Sequence, residues 1–265
     1  MRNRGPHGEF AVTSEGIIPP QPPYPAADAS PAAPVKRGRG RPGGEDSRAR
    51  ILSSAGKLFA SRGYSGVSMR ELAQAAKVNL GAINYHFGGK RKLYHETTMR
   101  LIEDIGPHFG PMIRRLRDAV GAAAGDRDAL ASCAERFLRD MLHAVLGKRS
   151  MRWQMAFLLR EFHQPSREFP MILEERISPM HDAVGTLVAA ALRRDPDDAT
   201  VRLGSQALIG QIMSFGASRT VVCARLGWSD YNRERIDIIA DTLIPATLAS
   251  LGLPPRLAEA QGTPS

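Results

Sequence analysis

The sequence is poor in the features that mark secreted scaffolds, membrane proteins and most enzymes. Its 265 residues include only two cysteines, Cys133 and Cys223, far apart and without metal-like spacing. That excludes a disulfide framework and suits a reducing compartment. No apolar run approaches the roughly 20 residues of a membrane-spanning helix; the longest candidate, Ala183 to Leu192, is short and contains Gly185 and Thr186. The N-terminus lacks the charged start and apolar core of a secretory signal. Strand-like alternation is scarce throughout. Catalytic arrangements are missing as well. Glu161-Phe162-His163 lacks the second histidine of a zinc-protease helix, and there is neither a nucleophile elbow nor a phosphate-binding glycine loop. His143, His163 and His181 fall on separate predicted helices and suit surface or core-edge positions better than a metal set. We expect a soluble cytoplasmic all-α protein without catalytic residues, metal or cofactor, whose work is binding.

What is present is positive charge, and it is concentrated. The net charge is +9. Between Lys36 and Arg100 there are 14 lysines and arginines against 4 acidic residues, whereas residues 101–265 hold 20 of each sign. A basic segment on a neutral body points to a polyanion partner for that segment alone. Within it, KRGRGRP places Arg39 and Arg41 among small residues, in the manner of an AT-hook core. Such an arm fits a narrow minor groove; a basic tail making only phosphate contacts fits the same residues.

The stretch from Ser68 to Lys92, SMRELAQAAKVNLGAINYHFGGKRK, organises the rest. Ser68 can cap a helix whose Met69, Leu72, Ala73 and Ala76 follow the spacing of a buried face. Lys77-Val78-Asn79 interrupts that pattern, and Asn79 can cap a second helix running to about His86. There Ile83 faces inward while Leu80, Gly81, Asn84 and Tyr85 present another surface. Two short helices joined by a tight turn, the second carrying exposed polar groups, are what a helix-turn-helix needs.

This segment resembles the DNA-binding domain of the TetR family of transcriptional regulators. The resemblance rests on Ser68, Leu72-Ala73, Val78-Asn79, Gly81, Tyr85-His86-Phe87 and Lys90. Two residues depart from the family pattern. Lys77 stands where glycine is usual, and would carry modest strain if its φ is positive; Asn84 stands where tyrosine is common. Base reading is assigned to Leu80, Asn84 and Tyr85, with Asn79 and Gly81 allowing close approach, since asparagine pairs with an adenine edge and leucine meets a thymine methyl. Ser68, Arg70, Tyr85, His86 and Lys90 are candidates for phosphate contacts.

Five segments are expected. Residues 1–35 form a disordered Pro/Ala-rich tail and 36–45 the basic arm. Residues 46–92 form the three-helix DNA-binding domain, 93–252 a helical effector-binding and dimerisation domain, and 253–265 a flexible tail. The first helix spans Ser47 to Gly63 with an apolar stripe of Ile51, Leu52, Ala55, Leu58 and Phe59. A fourth begins at Lys90 and is expected to break at Gly106-Pro107. Asp197–Leu226 and Tyr231–Leu251 read as a final long pair. Its Leu208, Ile209, Ile212, Met213 and Phe215, set among glycines, are assigned to a dimer interface, because a palindromic operator requires a two-fold symmetric regulator. Phe109, Met112, Trp153, Met155, Phe157 and Phe169, with Arg160 and Glu161 as polar anchors, are candidates to line an effector pocket; the apolar ones serve equally well as plain core. Arg160-Glu161, Pro165-Ser166, Glu174-Glu175, Leu208-Ile209-Gly210-Gln211 and Leu226-Gly227-Trp228 also resemble the C-terminal domain of the CecR branch. That resemblance implies a repressor tied to transport or efflux genes. Two other functions fit the residues: an architectural binder using arm and charge without sequence preference, and an all-α ligand-binding or enzymatic protein with an incidental basic segment.

Overall fold

The computed structural model describes residues 43–148 and 151–254. The tail 1–35, most of the expected arm with Arg39 and Arg41, and the end from residue 255 lie outside the described residues. Every element described is helical. The first helix, α1 (Gly43–Arg62), begins inside the stretch expected as arm. Its Ile51, Leu52, Ala55 and Phe59 are buried, and Tyr64 beyond its end packs its ring against those of Phe59 and Tyr94. α2 (Met69–Ala76) and α3 (Leu80–Phe87) complete a small core through Leu72, Ala76, Ile83 and Phe87.

Gly106-Pro107 does not break the next helix. α4 runs from Lys90 to Ala123 with Pro107 and Pro111 inside it, a length of about 50 Å. Each proline follows a glycine, Gly106 or Gly110, which has no Cβ to meet the proline ring, so one of the steric reasons for ending a helix before proline is removed; the ring still crowds the carbonyl four residues back. The donors lost at the prolines still loosen this stretch. From across the fold, Arg176 Nε donates to the carbonyl of Ile102 at 2.9 Å in the same turn. Packing along α1 and the body helices carries the rest.

The body continues with α5 (Arg127–Leu142), a π-helical turn (His143–Gly147), α6 (Arg152–His163) and the single turn α7 (Phe169–Ile172). A second π-helical turn (Leu173–Ile177) leads into α8 (Ser178–Leu192). Pro170 and Pro179 each sit in the first turn of their helix, where a missing N–H is tolerated. The expected single helix over Asp197–Leu226 is two: α9 (Ala199–Ala217) turns by 66° at Ser218 into α10 (Arg219–Leu226). Arg219 pins the bend. Its guanidinium reaches Asp230 at 2.7 Å and the Leu146 carbonyl at 2.8 Å, and covers the Tyr231 ring at 4.2 Å. The last helix, α11 (Arg233–Ser250), lies against α5 and touches α9, where Thr247 Oγ1 donates to Gln211 Oε1 at 3.1 Å. No single helix among the described residues is long and apolar enough to cross a membrane.

The residues assigned to the dimer interface are mostly interior. Leu208, Ile209 and Ile212 are buried in the chain's own core, Ile212 completely. Met213 borders a cavity, and Phe215 is half-buried with its carbonyl accepting from the Tyr231 hydroxyl. Helical periodicity explains the correction. Positions 201, 205, 208, 209 and 212 of α9 share the inward face, which leaves Leu203, Ala207, Gln211 and Ser214 outside.

Candidate nucleic-acid interface and body cavity

Local bonds set the geometry of the helix-turn-helix. The Ser68 hydroxyl accepts from the Glu71 N–H at 3.2 Å, and the Glu71 carboxylate accepts from the Ser68 N–H at 2.7 Å, a complete capping box. Arg62 Nη1 adds an ion pair to Glu71 at 2.5 Å. The Ser68 N–H, the Ser68 hydroxyl and then Arg62 hold the Glu71 carboxyl down to about 2. Lys77 closes α2 in the left-handed region at φ 54°, with Val78 N–H returning to the Ala73 carbonyl at 3.0 Å. Asn79 then caps α3, its Oδ1 accepting from Ala82 N–H at 2.7 Å.

With Ile83 and Phe87 anchored inside, α3 turns Leu80, Gly81, Asn84 and Tyr85 to the outside, Tyr85 being 67% exposed. These candidate base readers share one surface. Asn79 is exposed as well, but its side-chain oxygen is taken by the cap. His86 is half-buried, its ring 5.2 Å from that of Tyr85. Arg70 is exposed. Lys90 is less free than a phosphate contact suggests. Its Nζ stands 4.5 Å over the Tyr64 ring, and burial pushes its pKa down against the pull of Glu71. Lys92, which the motif does not single out, runs beside the end of α3, within 3.6 Å of where a Cβ on Gly88 would lie. The basic run KRK was its only trace in the sequence.

In the body, a cavity of about 250 Å³ opens between α4, α5, α6, α8 and α9. Phe109 and Met155 line it, with Ile105, Ile113, Leu158 and Met213. A wider groove of about 920 Å³ between α8 and α9 shares Phe162, Ile177, His181, Ile209 and Met213 with it, so the two adjoin. Phe169 lies on this groove, and Met112 on a small separate cleft beside Cys133 and Phe137. The remaining residues proposed for a pocket are elsewhere. Trp153, Phe157, Arg160 and Glu161 occupy the opposite side of α6, against α1 and α4. The Trp153 ring lies so close to Gly56 of α1 that a Cβ there would stand 2.7 Å from it. Arg160 Nη2 donates to the Arg62 carbonyl at 3.0 Å. The Phe157 ring stacks 5.5 Å from that of Tyr94. Glu161, 1% exposed, accepts from the Tyr94 hydroxyl at 2.5 Å and from Ser166 N–H and Oγ, both at 3.0 Å. Burial, then the Glu161 charge, push the Tyr94 phenol far up, so it stays a donor. Apolar periodicity round the whole of α6 could not separate these two faces. The histidines have other partners: His143 meets Asp237 at 2.8 Å and His163 the Leu159 carbonyl at 2.6 Å.

Known proteins match both parts of the chain. Residues 51–97 match the family model of bacterial regulatory proteins of the tetR family, and residues 132–252 that of the C-terminal domain of the HTH-type transcriptional dual regulator CecR. The chain is 28% identical over 200 residues to the dual regulator CecR of Shigella flexneri, covering 76% of this chain and 89% of that protein. It is 39% identical over 64 residues to the transcriptional repressor AcnR of Corynebacterium efficiens, 23% of this chain and 34% of that one. Among solved structures, a Clostridium perfringens protein described as a fatty acid metabolism regulator superposes with a TM-score of 0.50 at 15% identity, over 76% of this chain and 97% of that one, a likeness of fold.

Proposed function

We propose that this chain, which belongs to the TetR family of bacterial transcriptional regulators in its CecR branch, works as a homodimeric repressor in the cytoplasm, released from a palindromic operator when a small molecule fills its body cavity. The chain is a DNA-binding regulator and not an enzyme. On the strength of the CecR-type domain, the regulated genes concern transport or efflux. Leu80, Asn84 and Tyr85 read bases. Ser68, Arg70, His86, Lys90 and Lys92 meet phosphates, and Arg39 and Arg41 extend the contact along the duplex.

The single observation that carries this reading is the position of α6. One side of it, with Met155, Leu158 and Phe162, lines the cavity; the other, with Trp153, Arg160 and Glu161, grips α1 and α4. A ligand that displaces the first side moves the second, and with it the separation of two recognition helices that must sit about 34–36 Å apart. Occupancy favours release only if the ligand binds the DNA-free arrangement more tightly. Pairing of two copies is assigned to the outward faces of α9 and α11, where Leu203 is 69% and Ile238 49% exposed among Ala207, Ala246 and Ala249. Selection from a random duplex library at physiological salt tests the whole reading. An enriched inverted repeat is expected; AT-rich bias alone would favour the architectural binder, and loss of all binding would remove the helix-turn-helix assignment.

A further inference from the structure

Resting on the reading of the body cavity as an effector site, we infer that its occupant is an amphipathic anion: an apolar chain lying in the hollow, ending in a carboxylate at the wall formed by α4 and the turn before α8. Most of the cavity is apolar, with Phe109, Ile113, Met141 and Met155 among its walls. Its charged lining is unbalanced. Arg114 and Arg176 stand against one carboxylate, Glu175, and a third arginine, Arg117, reaches the carbonyl of the wall residue Pro179 at 3.4 Å. None of these three arginines makes an ion pair among the described residues.

Arg176 is nevertheless held in place. Its Nε donates to the Ile102 carbonyl at 2.9 Å and its Nη1 to the Glu175 carbonyl at 2.8 Å. Gly106 makes that approach possible, since a Cβ there would stand 2.9 Å from Nη2. Neutral carbonyls orient the guanidinium without cancelling its charge. A half-buried guanidinium fixed in this way is suited to a carboxylate, which it can bind through charge-assisted hydrogen bonds. The other ionisable wall residue, His181, has its pKa pushed below the ordinary imidazole value by burial, against the opposing charge of Asp182. On the groove side Asp197 is already paired with Arg202 at 2.7 Å. Asp182, also on the groove side, leaves that side without excess positive charge. The excess of positive charge is therefore confined to the wall of the smaller cavity, at Arg114 and Arg176.

The test uses the full chain and three probes of equal length: octanoate, octanol and octyltrimethylammonium. Binding is read by titration calorimetry, and release from the selected operator is read separately. Octanoate is expected to bind on the order of tenfold more tightly than octanol, with the cation weakest. Arg114→Glu, at an exposed position, abolishes that preference with an unchanged melting temperature, and Arg176→Gln weakens octanoate by a similar factor. Octanol binding as tightly as octanoate, a preference for the cation, or no octanoate binding overturns the inference. Selective octanoate binding without operator release would overturn the effector reading and leave the anion site standing. Equal binding and equal release by octanol would do the reverse.

Discussion

The helix-turn-helix and the body are held together by different kinds of bond. In the first, the decisive contacts span a few residues: Ser68 with Glu71, Lys77 and Val78 with the end of α2, Asn79 with Ala82. In the second they span the chain: Arg139 with Asp241, His143 with Asp237, Arg219 with Leu146, Tyr94 with Glu161. Short-range caps make a unit whose exposed face keeps its shape whatever happens around it. Long-range contacts between helices make a unit whose packing shifts only when several elements move together. A regulator needs both, and it needs a joint between them, which is the side of α6 facing α1 and α4.

Breaking the joint carries the largest expected effect. Glu161→Ala leaves the Tyr94 hydroxyl and two Ser166 donors without their buried acceptor, and is expected to cost about 3 kcal/mol. Glu161→Gln keeps an acceptor and costs less. Chemical denaturation gives the order; equal losses would show that the cluster is not held by the carboxylate.

Next comes Gly56→Ala. A Cβ there meets three atoms of the Trp153 ring within 2.9 Å, and the ring is rigid. Overpacking of this kind costs about 2 kcal/mol and is expected to weaken operator binding although α3 is untouched. Combining it with Trp153→Leu should recover about 1 kcal/mol relative to the sum of the single changes. Strict additivity would place the effect outside this contact.

In the helix-turn-helix, pH separates charge from capping. The folded-state value of Glu71, about 2, lies below the ordinary 4.5. Its contribution to stability is therefore complete above pH 4.5 and is lost as pH falls through that window toward 2. Glu71→Gln retains an N3 acceptor but not the charge. Its stability relative to wild type should be lowest above pH 4.5 and converge with wild type near pH 2, as read by denaturation at each pH. A pH-independent difference would mean that the cap, not the charge, is what matters.

How much could be read in advance follows the same division. Ser68, Asn79 and the possible positive φ at Lys77 were legible because their determinants lie within four residues. The path of α4 through Pro107 was not. The rule that proline ends a helix is local, whereas here a preceding glycine relieves part of the crowding and Arg176, some seventy positions along, bonds the loosened turn. The alternation of small and large residues on α9 is visible in the sequence, but it does not say which face is inward, and Leu208, Ile209 and Ile212 face the chain's own core. The apolar circumference of α6 likewise hid that Met155 faces a cavity and Trp153 a neighbouring helix.

The smallest effect expected is at the turn itself. Lys77 adopts φ 54° and ψ 47°, a left-handed conformation that costs a residue with a Cβ roughly 1 kcal/mol. Lys77→Gly removes that strain but enlarges the conformational freedom of the unfolded chain, which takes back about half of it. The net is a gain of roughly 0.5 kcal/mol, seen as a small rise in melting temperature. Because Lys77 is an exposed cation at the turn that leads into α3, the same change is expected to lower affinity for all sequences alike and reduce the salt dependence. A stabler variant that binds less tightly, with base preference intact, would show that the turn sets the geometry of α3 through its backbone while its side chain serves only the phosphates. Loss of base preference instead would mean that the left-handed lysine also steers the recognition helix.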